Sequence, residues 1–62
     1  MTNMGIFIHN GITIGTFNGT ISFSIGEIIH LVQLSARFKI IRIESTVFST
    51  HKESKVYLQE IK

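Results

Sequence analysis

Residues 1–26 contain no Asp, Glu, Lys, Arg or Pro. A strand at the edge of a sheet is normally kept from pairing with other chains by charge, by proline or by a cover. This stretch has neither charge nor proline, yet it reads as sheet. Asn10-Gly11 and Asn18-Gly19 are both hairpin signals, because Asn and Gly tolerate the positive φ angles of a type I′ turn. Residues 4–9, 12–17 and 20–23 around them are rich in Ile, Phe and Thr, which suit a pleated surface. The expected product is a three-stranded meander that something must cover.

Two-residue turns fix register. The first sets Ile8 against Thr13 and Phe7 against Ile14. The second sets Thr16 against Ile21 and Ile14 against Phe23. One face of the meander then carries Phe7, His9, Ile12, Ile14, Ile21 and Phe23. The other carries Ile6, Ile8 and Phe17 among Thr13, Gly15, Thr20 and Ser22.

A helix is expected next. Ser24 and Glu27 have the spacing of a capping box, in which each side chain satisfies a backbone N–H near the other. Ile25, Ile28, Ile29, Val32 and Ala36 recur at helical spacing, and Leu31, Leu34 and Phe38 widen the stripe. Glu27, His30, Gln33 and Arg37 fall on the polar side. Residues 39–48 and 55–61 then read as strands joined by the polar turn 49–54. The fold class predicted for the single domain spanning 1–62 is α+β, a small antiparallel sheet with one helix in the order β-β-β-α-β-β.

With 62 residues, such a domain buries only about 60% of the surface its unfolded chain exposes. The usual supplements are disulfides, a metal, very good packing or association. Cysteine is absent, so the first is closed. His9, His30 and His51 fall on different elements and do not form a ligand set by spacing, so no metal and no cofactor are expected. The longest apolar runs span a few residues, far short of the roughly 18 a membrane helix needs, and no basic-then-apolar leader opens the chain. The cytoplasm is the expected compartment.

Catalysis finds little support. There is no Asp, no G-x-S-x-G elbow and no Gly-rich phosphate loop, and the four glutamates are scattered. Asn18-Gly19-Thr20 matches a glycosylation sequon, but the turn already explains it. A non-enzymatic protein without a small-molecule substrate is expected.

The apolar surplus is the strongest functional clue. One helix covers one face of a sheet, which leaves Ile6, Ile8 and Phe17, with Leu31, Leu34 and Phe38 from the helix stripe, as a predicted interface. A two-fold homodimer is the commonest solution. The function expected is a small regulatory interaction module, inhibitor-like in the manner of phage-encoded proteins, that self-associates and occludes a protein target. The alternative is a nucleic-acid-binding protein using Arg37, Lys39, Arg42, Lys52 and Lys55. Against it, strand alternation places Lys39 and Arg42 on opposite faces, and Arg42 shares its face with Glu44.

Overall fold

The computed structural model of the chain describes residues 2–61. Five strands form one sheet: β1 (Thr2–His9), β2 (Ile12–Asn18), β3 (Ile28–Leu31), β4 (Ala36–Val47) and β5 (His51–Ile61). Their order across the sheet is β2-β1-β5-β4-β3. β1 runs parallel to β5, and the other three neighbours are antiparallel. The sheet curls into half a barrel. Its concave side holds the core of Phe7, Phe38, Ile40, Val56 and Leu58.

The α+β class with the order β-β-β-α-β-β is therefore corrected to a nearly all-β fold. Among the described residues the only helical element is the three-residue 3-10 turn Val32–Leu34. The expected cap residues close a turn instead. Glu27 N–H donates to the Ser24 carbonyl at 3.1 Å, and Ser24 N–H donates to the Glu27 carboxylate at 3.1 Å. Gly26, the third residue of that turn, sits at φ +91°, as a type II turn asks and a helix forbids. Beyond it, Ile28-Ile29-His30-Leu31 satisfies alternation as well as helical spacing. Pairing of Ile29 with Phe38 and of Leu31 with Ala36 decides the matter, and Ile29 and Leu31 turn inward. Ser35, at φ 51°, ends the 3-10 turn and reverses the chain into β4. No heavy atom lies within 4 Å of a Cβ built on Gly26, so Gly26→Ala meets only backbone strain. It should cost about 1–2 kcal/mol, read as a lowered denaturation midpoint.

The two Asn-Gly signals part company. Asn10 (φ 52°) and Gly11 (φ 76°) form the expected hairpin turn, and Ile8 meets Thr13. Asn18-Gly19 turns the chain but starts no hairpin. The Asn18 Oδ1 accepts from the Thr20 N–H at 3.0 Å and from its hydroxyl at 2.9 Å, a local side-chain turn. Residues 20–23, expected as a strand, leave the sheet. They must, because β2 and β3 lie at opposite edges and the connection has to cross between them. Phe23 pegs this crossing over the concave face, with its ring 5.5 Å from that of Phe7 and 5.0 Å from that of Phe17.

Two bulges set which residues face inward. Phe7 pairs with Gly15, not Ile14, so Ile14 is the extra residue on β2. The one-residue slip moves Phe17 off the face of Ile6 and Ile8 and onto the concave side. There it packs on Phe7 with ring centroids 4.7 Å apart. Phe17 lies directly over Gly5, and any side chain at Gly5 would occupy the space of its ring. On β4, Ile40 pairs with Leu58 and Arg42 with Tyr57, so Ile41 is extra. Lys39 faces Gln59 and Arg42 faces Tyr57, which puts both basic residues on the outer face. Placing them on opposite faces is thus corrected.

Candidate functional site

No second layer of structure covers the outer, convex face of the sheet among the described residues. β1 contributes Ile6 and Ile8 to it, both half-buried among neighbouring side chains. β5 contributes Glu53, Lys55, Tyr57 and Gln59, and β4 contributes Arg37, Lys39, Arg42 and Glu44. Cross-strand placement builds a polar cluster at its centre. The Arg42 guanidinium lies 5.0 Å over the Tyr57 ring and bridges to the Glu44 carboxylate at 2.9 Å. Exposed pairs of this kind stabilise little, because water competes for both partners.

The cluster shifts two titrations. The Tyr57 hydroxyl, and after it the Arg42 guanidinium, hold the Glu44 carboxyl below its ordinary value. The Glu44 carboxylate in turn pushes the Tyr57 phenol above its ordinary 10.0. Stability from Glu44 is therefore present above the ordinary carboxylate range and lost as pH falls through its lowered value. That from Tyr57 is present below its ordinary value and lost as pH rises through the raised one. Glu44→Gln should flatten the acid limb of a plot of thermal midpoint against pH. The effect should be small, since the groups lie in solvent.

The predicted interface residues do not share one surface. Ile6 and Ile8 lie outside. Phe17 and Leu31 pack against the core from the concave side. Phe38 is a core residue at 3% exposure, and Leu34 is exposed on the 3-10 turn. Of the basic residues, Arg37, Lys39, Arg42 and Lys55 gather on the outer face. Lys52 sits apart on the concave side, opposite Val47.

Lys52 also rims a hollow of about 140 Å³ between the crossing residues 19–23 and the inner faces of β4 and β5. Phe17, Phe23, Ile43 and Val56 wall it, and Ser22, Ser45 and Ser54 line it. Ligand sites usually run to about 300–1,000 Å³. The histidines stay scattered: His9 packs edge-on against Phe38, His30 is exposed on β3 and His51 stacks on Phe48. Among the described residues no three His or Glu converge to hold a metal. No helix there is long and apolar enough to cross a membrane.

Sequence reasoning warned of unprotected sheet edges in residues 1–26 but did not locate the open edge on β4. Large apolar side chains cluster near them: Val47 is 78% exposed, Ile12 65% and Ile28 60%, with Phe48 at 45%. β2 pairs only with β1, and β3 covers only the first part of β4. Gly26 N–H to the Ile40 carbonyl (2.7 Å) and Ile40 N–H to the Glu27 carbonyl (2.9 Å) carry that cover one residue further. Beyond Ile40 this side of β4 has no backbone partner among the described residues. Comparison of the chain with protein-family models, with curated proteins and with solved structures finds no match.

Proposed function

We propose that the protein is a small non-enzymatic interaction module that associates with itself and acts by covering a surface on a protein partner. The observation that carries this reading is the single-layer sheet with an unpaired edge. Only five described residues form its buried core, while ten large apolar side chains stand at 45% exposure or more. A row of free backbone donors and acceptors beside exposed Val and Phe is a template for another strand. Sedimentation equilibrium from low to high micromolar concentration tests it. A dimer is expected, and a strict monomer throughout that range would reject it.

A second reading draws on the β4 bulge, which brings Arg37, Lys39 and Arg42 to the same face as Lys55 and Tyr57. A basic strip beside an aromatic ring suits a single-stranded nucleic acid. Glu44 and Glu53 on the same face offset part of the charge, and Arg42 is already engaged by Glu44. Titration of a fluorescent oligonucleotide at several salt concentrations separates the two readings. Phosphate binding weakens linearly in log salt, whereas dimerisation through backbone pairing and apolar contact changes little.

A further inference from the structure

We infer that the partner at the β4 edge is a second copy of the chain, bound antiparallel about a two-fold axis through Ser45. This inference rests on the self-association proposed above and names its surface and register. Phe48 N–H donates to the His51 carbonyl at 2.8 Å, which makes Phe48–His51 a hydrogen-bonded pair of the β4–β5 hairpin. Antiparallel ladders alternate. Thr46, Glu44 and Arg42, paired with Glu53, Lys55 and Tyr57, therefore direct their backbone toward β5. Val47, Ser45 and Ile43 direct their N–H and C=O groups outward.

Three features favour this edge and this register. From Arg42 to Val47 β4 has no bulge, glycine or proline, whereas β2 carries both a bulge at Ile14 and Gly15. A two-fold through Ser45 sets Ile43 against the partner's Val47 and Ser45 against the partner's Ser45. Each such pair can exchange both its hydrogen bonds. Opposed residues share a face, so the exposed Val47 gains an apolar neighbour on the concave side. On the outer face Glu44 meets the partner's Thr46 and Arg42 meets the partner's Phe48, with no like charges opposed. The two centres nearer β3 fit worse. A two-fold through Glu44 opposes two carboxylates, and one through Ile43 drives the partner's Val47 into the place β3 already fills beside Lys39.

The geometry supplies its own variants. Ser45→Pro deletes a donor that points away from β5, so the monomer's ladder stays whole. Ser45→Pro should keep the wild-type circular dichroism spectrum and cooperative unfolding while losing the dimer at concentrations where wild type is dimeric. Val47→Lys, which adds charge without touching the backbone, should do the same, so the outcome does not hang on proline alone. Ser45→Cys provides the register test, since the chain has no other thiol. Residues on the axis would have Cα atoms about 5.5 Å apart, within the disulfide range of about 4.4–6.8 Å. Mild oxidation should convert Ser45→Cys to covalent dimer at micromolar protein, and Thr50→Cys should convert far less. A wild-type dimer that survives both Ser45→Pro and Val47→Lys, or an equal yield from the two cysteine variants, would overturn this register and leave self-association standing. A wild-type monomer would overturn both.

Discussion

Replacing Phe38 by alanine is expected to cost a large share of the protein's stability. Phe38 is 3% exposed and belongs to a core of only five buried residues, where it meets His9 edge-on and pairs across β3 with Ile29. Truncating a buried Phe costs about 3–5 kcal/mol, from lost transfer energy and from the cavity left behind. Total stability at about 0.05–0.15 kcal/mol per residue comes to roughly 3–9 kcal/mol for a chain this length. One substitution therefore removes from about a third of it to all of it. Phe38→Leu, which keeps much of the volume, should remain folded with a lowered midpoint. Urea unfolding followed by circular dichroism checks both. If Phe38→Ala cost only about 0.5 kcal/mol, as a surface substitution does, the concave side would not be the core. A residue serving only a dimer interface would show the opposite pattern, with the fold kept and sedimentation changed.

Gly19→Ala should be costly, because among the described glycines Gly19 alone would press an added Cβ against backbone. A Cβ there would lie 2.6 Å from the Asn3 carbonyl carbon and 2.7 Å from the Met4 nitrogen. Backbone cannot swing aside as a ring can. The turn must lift off β1, which also strains the Gly19 N–H to Asn3 carbonyl hydrogen bond of 3.3 Å. Overpacking of about 1–3 kcal/mol together with a hydrogen bond of about 1 kcal/mol predicts a loss of about 2–4 kcal/mol. Gly26→Ala, in open space, should lose less. A denaturation series in which Gly26→Ala proved the more damaging would contradict the close approach of the second turn to β1.

These predictions turn on features that were unevenly legible in the sequence. The turn of the first hairpin was readable to the residue, with Asn10 and Gly11 both at positive φ, but its expected register held only as far as Ile8–Thr13, and the same dipeptide at 18–19 started no hairpin. The strands 39–48 and 55–61 overlap β4 and β5, but the polar turn expected over 49–54 shrinks to Ser49 and Thr50, because residues 51–54 are the start of β5 and 52–54 pair with β4. The expected helix does not form. Ile25 to Leu34 is short and apolar enough to fit both periods, and only its pairing to β4 excludes the helical one. Gly26, early in the expected helix, was the available warning, because glycine there costs about 1 kcal/mol against alanine.

Single-residue slips decided which candidate residues share a face. The bulge at Ile14 carried Phe17 inward, away from Ile6 and Ile8. The bulge at Ile41 brought Lys39 and Arg42 together. Alternation has a period of two, so one extra residue inverts every face assignment beyond it. Gly15 inside a strand pattern hinted at the first bulge. The doubled Ile40-Ile41 marked the second only as a break in alternation. The open edge of β4 was invisible for another reason: which strands lie at the edges depends on the parallel pairing of β1 with β5, a contact between the two ends of the chain.

Amide hydrogen exchange, followed residue by residue at two protein concentrations, bears most directly on the edge. Val47, Ser45 and Ile43 should exchange freely in dilute solution and become protected as concentration rises, while Thr46 and Glu44, bonded to β5, stay protected throughout. Exchange at those three outward amides that is equally fast at both concentrations would contradict the pairing of β4 with a second copy.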